Sequence, residues 1–203
     1  MDKITDNIKY PIAFFIAAMI VIYLVIFEMP NHINQFALIP EKLASGEYWR
    51  LLTFQFAHLN NSHLLENVAG AGLAAGIATH LKMNSKTFSS TYLSTGMFAV
   101  VPIFAAVPFV ALGASGAVYG ALGAVSMEAK KFGINPLIML GILAATIFAQ
   151  AALTGGNIGA PQGLVHFSGL AMGAILPKYL ESALQKLTKK RSYVLRGVKS
   201  IWN

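Results

Sequence analysis

Ser115 stands in the run Gly113-Ala114-Ser115-Gly116-Ala117-Val118-Tyr119-Gly120, with apolar sequence on both sides, 98–112 before it and 121–127 after it. A serine hydroxyl is a weak nucleophile until a base takes its proton, and histidine is the usual base. Alone, such a serine reads as a packing residue in a seam of small side chains, bonded back to its own helix. Three further polar side chains change that reading, because His63, Asn67 and His166 also lie in apolar sequence. Strongly polar groups in such surroundings are functional candidates by default, and four at compatible depths are hard to credit to accident. His63 and Asn67, spaced i, i+4, project together from one helix face, and hydrogen-bond donors so paired suit an oxyanion hole. Ser115 heads a helix, where free N–H groups and the positive dipole end favour a developing anion. Gly113 and Gly116 permit a tight turn and close backbone approach around it. Tyr119 lies one turn below Ser115 on the same face, placed to stack against an imidazole.

A metal site is the chemical rival, since His58, His63 and His166 offer three imidazoles. It lacks a carboxylate in the right place: Glu66 is one residue off the His63–Asn67 face, Glu128 is near the cytoplasmic end, and no His-Glu-x-x-His occurs. The chain has no cysteine, which excludes thiolate sites and disulfides. No metal or cofactor is therefore expected. A soluble α/β-hydrolase elbow also fails, because Ala117 stands where that turn needs glycine.

The elements that carry these residues are membrane-grade. The 203 residues are 56% hydrophobic and 11% charged, with mean hydropathy +0.60, too apolar for a soluble domain. Six stretches read as spans: 11–27, 62–81, 91–110, 115–129, 136–153 and 163–180. The first is too long for a signal-peptide core and lacks a convincing cleavage site, so it reads as a retained span. A loop over 28–61, bearing Tyr48 and Trp49, is expected to lie against the membrane surface. With the N-terminus cytoplasmic, 13 Lys and Arg fall on the cytoplasmic side and only Lys42 and Arg50 opposite. Both termini are then cytoplasmic. Basic residues at span ends point to anionic lipid rather than nucleic acid as the partner of the +7 net charge.

Depth follows by counting back from the basic boundary. Ser115 is 15 residues before Lys130, Asn67 is 15 before Lys82, and His166 is 12 before Lys178. At about 1.5 Å per residue, all three lie at one level, roughly 18–23 Å above the cytoplasmic surface. The fourth span, about 22 Å long, is too short to cross, so the chain must dip into the membrane before Ser115. The expected fold is an all-α six-transmembrane-helix bundle with a short fourth span starting at Ser115. Its domain covers 1–181, followed by a basic cytoplasmic tail at 182–203. Residues 154–161, rich in glycine, read as a mobile turn, and the fifth span, polar only at Gln150 in its interior, as a movable wall through which substrate arrives.

Four ordered features carry a likeness: Glu47-x-Trp49-Arg50, His58-x4-His63-x3-Asn67, Gly113-x-Ser115-Gly116-x2-Tyr119 and His166-x2-Gly169-x3-Gly173. Over roughly 47–176 the chain resembles a rhomboid intramembrane serine protease. The resemblance implies Ser115 as nucleophile and His166 as general base. It implies His63 and Asn67 as oxyanion donors beside the Ser115 N–H, with Gly113, Gly116 and Tyr119 in support. It also implies transmembrane protein substrates that unwind locally to be cut. Val165 stands before the histidine where a smaller residue is usual, and Glu66 occupies a position that is often apolar. Two alternatives remain: a rhombosortase-like enzyme acting on C-terminally tagged exported proteins, and a non-catalytic membrane protein such as a derlin-like binder. Oligomeric state is left open.

Overall fold

A computed structural model describes the backbone of residues 11–201 and the side chains of 11–155, 159–180, 182 and 186. Helix α1 (Pro11–Phe27) is followed by three short helices, α2 (His32–Phe36), α3 (Pro40–Ala44) and α4 (Arg50–Thr53), and a 3-10 turn at Phe54–Phe56. Then come α5 (Asn61–His80), α6 (Ser85–Phe98), α7 (Val101–Ala106), α8 (Ser115–Glu128), a 3-10 turn at Ala129–Phe132, α9 (Pro136–Thr154) and α10 (Gly156–Ile201). The described residues are all-α, with one isolated antiparallel bridge between Leu38 and Ala111. Asparagine side chains begin three of the long helices. Asn60, Asn84 and Asn135 accept from N–H groups of the first turns of α5, α6 and α9, as an N-cap should.

Among the described residues, two helical runs are long and apolar enough to cross a membrane, Ser85–Ala106 and Pro136–Thr154, while α1 is apolar but only 17 residues long. The sequence reading counted six spans. The helix α5 is diluted by His63, Glu66, Asn67 and His80, and α8 has only 14 residues. Apolar side chains face outward in numbers, among them Phe14, Val21, Leu137, Ile142, Phe148 and Leu153. A soluble monomer does not expose such a surface; this is the exterior of a membrane protein.

The interior is built around α8, which packs against α5, α6, α9 and α10. Nine of its 14 residues are buried, all small or β-branched: glycines, alanines, two valines and Ser126. Helices α8 and α10 meet backbone to backbone. A Cβ on Gly169 would lie 2.5 Å from the Gly116 carbonyl oxygen, one on Gly173 would collide with that of Gly120, and one on Gly123 with that of Leu170. Small residues permit this approach where apolar burial gives helices no reason to associate in lipid. Helix α1 closes the other side, joined to α6 by a 2.8 Å hydrogen bond between the hydroxyls of Tyr23 and Tyr92.

Two expectations need correction. The glycine-rich stretch 154–161 is not an open turn. Only Gly155 leaves the helical conformation, at φ 64°, and α10 resumes at Gly156 with Pro161 inside it. The third apolar stretch stops short of Val110. Its helix ends at Ala106, and the chain runs extended or irregular to Ser115 because Pro108 cannot donate to a continuing helix. Helix α10 itself runs on through residue 181 to Ile201.

Candidate active site

Helix α8 begins at Ser115 itself, so the hydroxyl sits where the first turn leaves its N–H groups without helical partners. The chain reaches it through Gly113, at φ +101°, a left-handed value that glycine alone adopts freely. That approach is tied down at its far side. Leu38 and Ala111 exchange backbone bonds of 2.9 and 3.0 Å, and the Gly113 N–H donates to the Phe54 carbonyl at 3.0 Å.

The segments that hold it are themselves fastened by Arg50, only 3% exposed. Its Nη1 donates to the Ala37 carbonyl at 2.7 Å and its Nη2 to the Asn34 carbonyl at 2.9 Å. Its Nε donates to Glu47 Oε2 at 2.8 Å. The Arg50 hydrogen bonds hold the Glu47 carboxyl below its ordinary range. Glu47 also faces Lys42 at 3.5 Å. The Glu47-x-Trp49-Arg50 stretch is thus a clamp on residues 34–38, which in turn hold the strand-like approach to Ser115.

His63 lies against that approach. A Cβ on Gly113 would be 2.6 Å from the His63 Cε1 and Nε2 atoms. The Leu59 N–H donates to His63 Nδ1 at 3.4 Å, which leaves the proton on Nε2, the nitrogen facing the Gly113 turn. Behind His63 stands His58, fully buried, with ring centroids 5.3 Å apart and Tyr23 at 5.2 Å on its other side. Burial pushes the His58 imidazole down to about 4, with the neighbouring His63 adding to the effect. Asn67 is 4% exposed, and its Nδ2 donates to the His63 carbonyl at 2.8 Å. An amide nitrogen has two N–H groups, so one remains for a ligand.

On the opposite wall, His166 of α10 is 3% exposed, and its ring stacks on Tyr119 at 4.7 Å and 27°. The backbone seam explains the register: His166 is three residues before Gly169, which touches Gly116, the neighbour of Ser115. His166 Nε2 is buried without a hydrogen-bond partner among the described residues. Ser115 and His166 are not hydrogen-bonded to each other; such bonds often tighten only when substrate is present.

All four residues line one cavity of about 190 Å³, which lies among α5, α8, α9 and α10. Its lower walls are apolar, at Val118, Leu122 and Leu143, and its remaining polar lining comes from Glu66, Thr146, Gln150 and Gln162. Glu66, placed off the face by the sequence reading, is one of the wall residues, as its i, i+3 relation to His63 allows. The sequence reading missed Thr146 and Gln162, and treated Gln150 only as a feature of its own helix. In fact Gln150 Oε1 faces the Tyr119 hydroxyl at 3.4 Å. The three imidazoles weighed as a metal site do not converge: among the described residues no three His, Asp or Glu side chains do.

Residues 45–182 match the model of the Rhomboid domain. The chain is 33% identical over 147 residues to Rhomboid protease GluP of Bacillus subtilis (strain 168), an overlap that covers 67% of this chain but 28% of that protein. It is 29% identical over 124 residues to Putative rhomboid protease YdcA of the same organism, covering 56% of this chain and 60% of the relative. The chain therefore spans less than two thirds of either relative. With a family match across more than half its length, and with its paired glycines and polar cavity in the matched region, the chain belongs to the rhomboid family.

Proposed function

We propose that this chain is an intramembrane serine protease that hydrolyses peptide bonds in or near the transmembrane segments of membrane proteins. The observation that carries the reading is the convergence of Ser115, His166, His63 and Asn67 on one small cavity. In this reading Ser115 Oγ attacks the scissile carbonyl while His166 Nε2 takes its proton. The carbonyl oxygen becomes an oxyanion, held by the His63 Nε2–H, the free Asn67 N–H and the Ser115 backbone N–H. His166 then returns the proton to the leaving amine, and water attacks the acyl-enzyme by the reverse sequence of transfers. The Tyr119 ring under His166 fixes the imidazole plane in place of an acid.

The same reading takes the bundle as six spans with both termini cytoplasmic, a protease domain over 1–181 and a basic tail over 182–203. The cell membrane of a prokaryote is the setting suggested by the relatives' source. Helix α9, with Ile147 as its one buried residue, is the wall that parts to admit substrate from lipid. The corrected geometry shifts the hinge from a long turn to the single residue Gly155.

The test is labelling with a serine-reactive fluorophosphonate together with cleavage of a transmembrane reporter. Wild type should label and cleave; Ser115→Ala and His166→Ala should do neither while staying folded in detergent. Their roles form one unit, so the double variant should be no worse than either single one. Substantial cleavage by Ser115→Ala would sink the mechanism.

A further inference from the structure

Glu66 is the one acidic side chain lining the cavity. It is exposed and forms no ion pair with any described residue, the ion pairs being those of Glu47 and Glu128. On the same side of the molecule Arg50 and Lys42 are already engaged by Glu47. A carboxylate at membrane depth is costly unless something compensates it, and the rest of this lining is neutral amide, hydroxyl, imidazole and aliphatic carbon.

The cavity, at about 190 Å³, is smaller than the ~300–1,000 Å³ of a pocket for a drug-sized ligand; it is on the scale of one side chain. Its walls divide by chemistry. Val118, Leu122 and Leu143 form an apolar slope, and Glu66 lines the same cavity as His63, Asn67 and Ser115. A side chain with a long aliphatic stem and a cationic head fits both, the stem along the slope and the head against the carboxylate.

We infer that Glu66 forms a subsite selecting substrates with a lysine or arginine close to the scissile bond. This inference rests on the protease reading above, and it names the class of substrate that the reading leaves open. Glu66 acts on the choice of substrate and takes no part in bond cleavage. A partly desolvated charge-assisted contact is worth about tenfold or more in discrimination.

The experiment uses the full chain in proteoliposomes and a transmembrane reporter in which each of the four residues on either side of the cleavage point is set in turn to Lys, Leu or Glu. The readout is the ratio of kcat/KM for Lys over Leu at each position, in wild type, Glu66→Gln and Glu66→Lys. Wild type should show a ratio of about ten or more at one position. In Glu66→Gln the ratio at that position should fall to near one, and Glu66→Lys should favour the Glu reporter there. Fluorophosphonate labelling of each variant separates the two ways to fail. A wild type that neither labels nor cleaves overturns the protease reading, and this subsite with it. A wild type that labels and cleaves without a cation preference anywhere, or a preference that survives Glu66→Gln, overturns the subsite alone.

Discussion

On the proposed mechanism, variants of His63 and Asn67 leave Ser115 and His166 untouched and so isolate the stabilisation of negative charge. Removing one oxyanion donor typically costs about 10²–10³ in kcat. His63→Ala and Asn67→Ala are each expected to lose activity on that scale and to keep fluorophosphonate labelling at a reduced rate. The Ser115 N–H remains as a donor, so the double variant should retain a trace. Full turnover in the double variant would place the oxyanion elsewhere. At this scale the candidate residues were legible because polar side chains are rare in apolar sequence, and the spacing of His63 to Asn67 is a helical one. Glu66 was harder to place. It neighbours Asn67 in sequence, and only the packed positions of α8 and α9 decide that a residue at i, i+3 from His63 lines the cavity.

At the scale of elements, the glycines of α8 and α10 set how closely the helices bearing Ser115 and His166 approach, and on the proposed reading α9 sets access. The helix α9 buries only Ile147, and a Cβ on Gly163 of α10 would stand 2.8 Å from the Ala151 Cβ of α9. At the neighbouring position on α9, the Tyr119–Gln150 pair is a polar tie to α8. A cysteine pair joining α5 to α9 is easily introduced because the chain has none of its own. Such a cross-link is expected to stop cleavage of a transmembrane reporter and to release it on reduction; undiminished activity in the cross-linked form would end the idea of a lateral opening. The positions of α1, α5, α8 and α9 were legible from their apolar runs. The continuity of α10 through Pro161 was not, since a proline near the first turns of a helix is compatible with either a turn or a helix start, and packing of Gly159 against the Ala151 carbonyl favours the helix.

For the molecule as a whole, acid should loosen the fold through His58. Its folded imidazole is held near 4 by burial, against 6.5 ordinarily. Between those values the unfolded chain binds the proton and the folded chain does not, so stability falls as pH falls through that window and is fully present above it. The melting temperature in detergent is expected to drop between pH 7 and pH 4, and His58→Phe to flatten that slope. An equally steep slope in His58→Phe would assign the loss to other groups. The global arrangement was the least legible level, because the junction of 34–38 with 111–113 joins segments some 75 residues apart and leaves no periodic trace in either.

That junction has a consequence for biosynthesis. Apolar helices enter a bilayer one by one and associate afterwards, so a newly inserted chain holds Ser115 at a helix start long before Arg50 draws 34–38 against Ala111 and Phe54 against Gly113. Until those backbone bonds close, nothing fixes the Gly113 turn against His63, and the serine has neither oriented donors nor a shaped cavity. On the proposed reading the chain is latent until that junction closes. An Arg50→Ala chain should accordingly insert with all its helices but label with fluorophosphonate slowly or not at all; labelling at the wild-type rate would show that the nucleophile needs no such clasp. On that same reading, proteolytic competence is the last step of assembly, which spares neighbouring membrane proteins during synthesis.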